Sequence, residues 1–429
     1  MDLKNLALNI IQKTIPRIQP DVLLKQKLEE LNFYKIIETS STLFVISLGK
    51  AGFTMGNSFN EYLRHYNLNN KILKGFICTP YHTKKFDIDG FEIIESSHPY
   101  PDKNSLLAGD RLFEITQTIP KETTIIVLLS GGASSLIEKP IDSISLEEIQ
   151  HLTEKLLKSG ATIQEINTIR KKLSLIKGGG LAEMLYPRIV YQFLLSDVIG
   201  PNAEEYVSSG PMYPDQTSDE IVYQLLKQYS IEWNKKIHFP RKNRTSLKSS
   251  YTIGNNEIAA LKLKETLIEL GYRTEIRMLN FTENLDEYEE MISNDIKNFL
   301  KIPRNKHALI WGGEPTIRVT GIGIGGRNQE LCLRIAFHLQ EFLQYKDKIL
   351  FCSFGTDGID GPTDSAGGIV FCDSVQKINN LIKNHHDYSD ARDLLRNNDS
   401  YTALNLIDSL IKIGPTGTNL NDLSFFVYD

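Results

Sequence analysis

Read for the spacing of apolar and polar positions, the chain alternates between two patterns. Five short β-rich runs read as strands, TLFVISLG, LKGFICT, FEIIESS, TTIIVLLS and VYQFLLSD, and several of them are apolar on both faces. Longer stretches with apolar residues every three or four positions separate most of them. Runs that are apolar on both faces are what a parallel sheet covered by helices requires, and alternation with helices is an α/β signature. At the start of the chain, Leu3, Leu6, Ala7, Ile10, Ile11 and Ile15 recur at helical spacing, with Lys4 and Asn9 interrupting any signal-like apolar block. A second α/β series is expected from YTIGNN, YRTEIRML, HALIWGG and KILFCSFGTDG. Between the series lies a basic, weakly periodic stretch, residues 231–250, carrying Lys235, Lys236, Arg241, Lys242, Arg244 and Lys248. It reads as a boundary loop with solvated charges, with a phosphate-attracting patch as the lesser alternative. The expected architecture is therefore two α/β domains, 1–238 and 245–429, with a ligand cleft between them.

Composition narrows the function without naming it. The 429 residues include 48 basic and 53 acidic side chains, a net charge of -5, which favours neither nucleic acid nor an anionic membrane as partner. No apolar stretch is long enough to span a bilayer. Cys78, Cys332, Cys352 and Cys372 are widely separated, without C-x-x-C spacing, and read as buried free thiols. A cytoplasmic protein is expected.

Candidate chemistry concentrates in loops where an apolar strand ends in glycines and small polar residues, the crevice edge where open α/β sheets bind ligands. In FVISLGKAGFTMG, Lys50 is either an anion-reaching cation or an ordinary surface lysine. In VLLSGGASSLIEKP, Ser130, Gly131, Gly132, Ser134 and Ser135 offer successive N–H and hydroxyl groups, a candidate anion nest rather than a Walker A loop. Asp197 ends the LLSD run, as a metal or ribose ligand or as a cap. Glu314, Arg327, Asn328, Asp357, Asp360 and Asp364 gather around WGGEPTIRVTGIGIGGRNQE and SFGTDGIDGPTDSAGG. Carboxylates beside an arginine suit Mg²⁺ and phosphates, while TDG and TDS equally invite turn chemistry. His98, before a proline, reads as a turn residue at the border of a cleft, and His385-His386 as a surface loop.

Gly321, Gly323 and Gly326 match the G-x-G-x-x-G of a dinucleotide turn. The acidic residue such a turn needs about twenty positions on would fall inside the following helix, near Leu339 and Gln340. The nicotinamide reading therefore weakens.

Taken together, SLGKAG, SSHPYPDKNS, LLSGGASSL, SGATIQEINTIRKKLSLIKGGGLAEM, LLSDVIG, SSGPMYPD, GGEPTIRVTGIGIGGRNQE, GTDGIDGPTDSAGG and GPTGTNLNDL resemble the glycerate 2-kinases of the MOFRL family, once often labelled hydroxypyruvate reductases. The resemblance implies a larger Rossmann-like α/β/α domain, a smaller C-terminal α/β domain and an active site between them. It implies transfer of the ATP γ-phosphoryl group to the C2 hydroxyl of D-glycerate, with Mg²⁺. Lys50 and Arg327 fall on the family's catalytic candidates. Ser130, Gly131, Gly132, Ser134, Asp197, Glu314, Asn328 and Asp357 then become substrate- or ATP-binding candidates, with Asp197 and Asp357 for the metal. Small-molecule partners follow, and a homodimer is compatible with them. Pro201 and Met212 depart from the family's usual acidic residue and threonine, and the basic stretch 235–248 has no counterpart. A nicotinamide-dependent hydroxypyruvate reductase and a nucleotide- or sugar-acid-binding protein without turnover stay as alternatives.

Overall fold

The computed structural model describes residues 2–200, 202–233, 239–382 and 388–429. It divides into one unit spanning Leu23–Ile253 and another joining Met1–Val22 to Gly254–Asp429.

The Leu23–Ile253 unit is built on β1 (Leu43–Leu48), β2 (Ile72–Pro80), β3 (Phe91–Ser96), β4 (Thr124–Leu129), β5 (Val190–Leu195) and β6 (Leu247–Gly254), in the order β3-β2-β1-β4-β5-β6. The pairs β2–β3, β1–β2, β1–β4 and β4–β5 are all parallel. β1 and β4 are buried at all six positions, as their unbroken apolar runs require of central strands covered on both faces. The strand order reverses between β1 and β4, the topological switch point where doubly wound sheets open a crevice for ligand.

The other unit carries β7 (Arg273–Phe281), β8 (His307–Gly313), β9 (Ile349–Gly355), β10 (Gly367–Val370), β11 (Leu410–Ile411) and β12 (Asp422–Tyr428), ordered β11-β10-β9-β12-β8-β7. Only β7–β8 is parallel, and β12 runs antiparallel to both β8 and β9. The last strand of the chain is thus a central strand, buried along its whole length. It went unread in the sequence, although LSFFVY after a polar turn carries the β-branched and aromatic signature of a buried strand.

Two expectations change. YTIG, read as opening the second series, lies in β6 and completes the first sheet. The expected 1–238 and 245–429 split also differs from the observed division at the N-terminus. The helix Leu3–Thr14 packs on the helix Asn256–Glu269 and against β9. Its apolar face supplies the reason: Ala7 and Ile10 are 0% exposed and Ile11 1%. Just beyond it, Arg17 donates through Nη1 to Glu269 at 2.9 Å. A helix that cannot bury its stripe alone joins whichever apolar surface accepts it.

Of the described residues in the basic stretch, Arg241, Arg244 and Lys248 are exposed, as solvated charges would be, while Lys242 is drawn inward. Lys242 Nζ donates to the carbonyls of Lys171 and Ser174 at 2.6 and 2.5 Å, and Arg244 pairs with Glu183 while lying over the Tyr186 ring. Lys235, Lys236, Pro201, His385 and His386 lie outside the described residues. All four cysteines are buried free thiols, as expected. Among the described residues no helix is long and apolar enough to cross a membrane.

Ile10→Ala is expected to destabilise the unit holding β7–β12 by about 2–5 kcal/mol, the cost of a buried isoleucine truncation. Urea unfolding followed through buried Trp311, in a Trp233→Phe background, measures it; an unchanged midpoint would detach the N-terminal helix from that unit.

Candidate functional site

In the first unit, parallel pairing fixes the geometry. Leu48 faces Leu129 in the β1–β4 ladder, so the turns leaving the two strands lie side by side. Gly49 has φ +117°, and a Cβ on it would stand 2.4 Å from the Ser130 carbonyl oxygen. Only glycine combines that conformation with that approach. Lys50 N–H then donates to the Gly131 carbonyl at 2.9 Å, and Ala51 N–H to the Ser130 hydroxyl at 3.0 Å. Ser130 is 1% exposed, so its hydroxyl joins the two loops instead of facing solvent.

Gly131 and Gly132 are the open part of this junction. Among the described residues their backbone N–H groups donate to no acceptor. Three side chains from three strand ends surround them. A Cβ on Gly132 would stand 3.0 Å from Lys50 Cγ and 3.1 Å from His98 Cδ2, and one on Gly131 would stand 2.7 Å from Asp197 Oδ2. Burial and then the charge of Lys50 hold the His98 imidazole below its ordinary pKa. The result is a small concave junction with backbone donors, one exposed cation, an imidazole biased to neutrality and one carboxylate.

A second layer holds the cradle in shape. Ser208, at φ +52°, accepts from Ala133 N–H at 3.0 Å and donates to the Ser130 carbonyl at 2.8 Å. Ser134 Oγ meets Ser209 Oγ at 2.8 Å, and Arg170 donates to the Ser134 carbonyl at 2.9 Å. Two adjacent serines in the left-handed region mark a backbone over-determined by its surroundings. Beneath lies the buried Glu138–Lys177 pair, with Ser174 donating to Glu138 at 2.5 Å. Met212 is buried in the apolar core of this unit.

The second unit presents a different device. The residues between β8 and the helix Arg327–Leu339 form an irregular loop, so the strand–turn–helix unit of a dinucleotide site is not formed. The glycines instead let the loop lie on residues 397–399: Thr320 and Gly321 N–H donate to Asn398 Oδ1 at 2.8 and 2.9 Å, Ile322 to Asn397 Oδ1 at 3.0 Å, and Gly323 to the Asn397 carbonyl at 2.9 Å. A Cβ on Gly321 would fall 2.2 Å from that carbonyl oxygen. The helix N-terminus is likewise taken, because Asn328 and Gln329 N–H donate to the Asp360 carboxylate at 3.1 and 2.9 Å.

Arg327 is the group this scaffold presents. Its Nε and Nη2 donate to Asp422, and Nη1 pairs with Glu314 at 3.0 Å; Asn421 donates to the other Glu314 oxygen at 2.7 Å. The Arg327 side chain keeps 32% of its surface exposed, while Asp422 keeps 5%. Burial pushes the Asp422 carboxyl up to about 6, even against the attraction of Arg327.

The structure therefore gathers Lys50, Gly131, Gly132 and Asp197 in one unit, together with Ser130 and Ser134 as its braces, and Arg327 with Glu314 in the other. Asn328 is turned inward, 2% exposed, its amide between Asp360 and the Ser353 hydroxyl. Asp357 accepts from Ile359 N–H at 3.0 Å, the turn chemistry its sequence invited. Asp364 pairs at the surface with Lys412. Asp197 and Asp357 belong to different units, and among the described residues no three His, Cys, Asp or Glu side chains form a metal-holding group. Sequence reasoning gave no role to Ser208, Ser209, Arg170 or Asp422. Asp422 had a weak signal, a lone acid entering an apolar run.

Residues 6–239 match the family described as a domain of unknown function (DUF4147), and residues 307–422 match the MOFRL family. A D-glycerate 2-kinase of Thermotoga maritima is 39% identical, covering 98% of this chain and 97% of its own. A glycerate 2-kinase of Pyrococcus horikoshii is 30% identical over 99% of this chain and 97% of its own. The crystal structure of the glycerate kinase from Thermotoga maritima superposes with a TM-score of 0.88 at 37% identity, covering 100% of this chain and 99% of that one.

Asp422 yields a pH test. Its folded carboxyl ionises near 6 instead of the usual value of about 4, so between those values the folded chain keeps a proton the unfolded chain has lost. That contribution is complete below about pH 4 and fades as pH rises through 6. Compared with Asp422→Asn, wild-type unfolding free energy should fall by up to about 3 kcal/mol between pH 4 and 7. A difference that stays flat across the range would place the carboxyl at an ordinary pKa.

Proposed function

The chain belongs to the DUF4147–MOFRL family of glycerate 2-kinases, and from that premise we propose that it transfers the γ-phosphoryl group of ATP to the C2 hydroxyl of D-glycerate, giving 2-phosphoglycerate and ADP. The observation that carries this reading beyond family membership is the glycine cradle, with two unengaged N–H groups between Lys50, His98 and Asp197.

Phosphoryl transfer asks a protein mainly to position the reactants and to neutralise charge on the transferring group. In this reading the N–H groups of Gly131 and Gly132 hold oxyanions of the nucleotide, and Lys50 supplies positive charge beside them. Arg327 supplies the second cation. Its Nε and Nη2 edge is anchored on buried Asp422, leaving the Nη1 edge, shared with half-exposed Glu314, as the one a phosphoryl oxygen would compete for. The C2 oxygen forms a bond to the γ-phosphorus as the bond to the bridging oxygen of ADP breaks. We assign Asp197 to accept the hydroxyl proton or to hold Mg²⁺. A magnesium ion is commonly held by one or two carboxylates together with substrate phosphates, which a single carboxylate beside a phosphate cradle fits. Such an ion supplies charge neutralisation on the phosphate oxygens.

A coupled assay with ATP, Mg²⁺ and D-glycerate, resolving the 2- and 3-phosphate products, tests the reaction. Formation of 2-phosphoglycerate is expected; the 3-phosphate as sole product, or no ADP release, would sink it. Lys50→Ala should lower kcat by about a hundredfold or more with an unchanged thermal midpoint. Arg327→Ala would strand a buried carboxylate and cost about 3–5 kcal/mol of stability. The paired variant Arg327→Ala/Asp422→Asn removes that penalty and should still lose about a hundredfold in kcat. Near-normal turnover in either the Lys50 variant or the paired variant would remove that residue from the mechanism.

A further inference from the structure

A cavity of about 690 Å³ opens beside the loop that leaves β5, between the N-terminal half of the helix Ile163–Leu173 and residues 205–217. Nothing in the phosphoryl chemistry described above uses it. Its volume is that of a site for a drug-sized molecule and far exceeds what a three-carbon acid would fill.

Its lining mixes large apolar groups with polar and charged ones, the carboxylates Glu205 and Asp215 among them. Ile163 and Tyr206 line it while keeping 59% and 53% of their surface exposed. Lys171 Nζ lies over the Tyr206 ring, 5.2 Å from its centroid. Gln164 and Asn167, spaced three apart and so on one face of the helix, also line the cavity. Gln164 is exposed and Asn167 half-buried, and among the described residues no hydrogen bond within the protein engages either side-chain amide. Two unengaged carboxamides beside an exposed aromatic ring are the groups that read and stack a purine: a carboxamide can pair with adjacent donor and acceptor atoms of adenine, and any base presents a π-face to tyrosine.

Elements that wall the cavity also touch the glycine cradle through residues next to the lining. Arg170, on the helix that forms one wall, donates to the Ser134 carbonyl. Ser209, three residues after Tyr206, meets the Ser134 hydroxyl. We propose that this cavity is the purine-nucleoside subsite for the phosphoryl donor, with Tyr206 stacking on the base, Gln164 and Asn167 pairing with its edge, and the phosphates leading to Gly131 and Gly132. This rests on the kinase reading for the identity of the donor.

The test uses the full chain, with the coupled assay and calorimetric titration of ADP. Tyr206→Ala and Asn167→Ala each raise KM for ATP and Kd for ADP about tenfold, the scale of one lost base–aromatic stack or bidentate contact. KM for D-glycerate and the thermal midpoint stay at their wild-type values. Gln164→Ala/Asn167→Ala narrows the preference for ATP over GTP, a change that loss of a merely structural contact would not produce. Unchanged KM for ATP and Kd for ADP in both single variants overturns the proposal. A rise confined to KM for D-glycerate overturns it as well, giving the cavity to the acceptor. A wild-type chain that binds ADP tightly in a Tyr206-dependent way yet transfers no phosphoryl group would instead defeat the kinase reading alone.

Discussion

The contact of Gly49 with Ser130 at the ends of β1 and β4 is the constraint on which the first unit's chemistry depends. Parallel strands in register deliver two turns to the same place, and the turns can nest only if one of them has no side chain. Once nested, they exchange hydrogen bonds: Lys50 N–H takes the Gly131 carbonyl, and Ala51 N–H takes the Ser130 hydroxyl. Beside those bonds, the N–H groups of Gly131 and Gly132 donate to no backbone acceptor among the described residues. A backbone that spends its carbonyls on its neighbour and keeps its N–H groups is a preorganised anion receptor. The left-handed serines 208 and 209 brace that arrangement through their bonds to Ser130, Ala133 and Ser134.

The glycine-rich loop of the second unit shows the opposite outcome from a similar composition. Its N–H groups are consumed by Asn397 and Asn398, and the helix behind it is capped by Asp360. Glycine there serves close packing of backbone on backbone, leaving a side chain, Arg327, as the group offered to solvent. Glycine spacing alone could not separate the two cases, because what decides between them is the partner brought by residues about seventy-five positions later in sequence.

That contrast explains what was legible beforehand. The runs of β1 and β4 were readable because central parallel strands are apolar throughout, and the loops that follow them were readable because sheet topology fixes where ligands bind. Lys50, Gly131 and Asp197 each follow such a run directly. Unreadable were the elements whose place is set by a distant surface: the N-terminal helix on the helix Asn256–Glu269, β6 as an edge of the first sheet, and β12 in the middle of the second. Asn328 and Asp357 have the residue types and neighbours of ligand groups, yet one is sealed by Asp360 and Ser353 and the other closes its own turn. Local sequence states which atoms a residue carries, while its accessible direction belongs to the tertiary fold.

Asp422 adds a point about how a cation can be held ready without being spent. An arginine whose charge is fully matched by exposed acids would have little left for a ligand. Here one partner is buried, with its carboxyl pushed up towards neutrality, and the other is half-exposed Glu314. The buried acid fixes the guanidinium plane through two donors, a geometric gain that needs its oxygens more than its full charge. The exposed acid holds the remaining edge through a single contact that solvent already weakens. Rigid anchoring and ready exchange are thereby assigned to different carboxylates, and Arg327 keeps a defined orientation while its free edge remains open to competition from a more highly charged oxyanion.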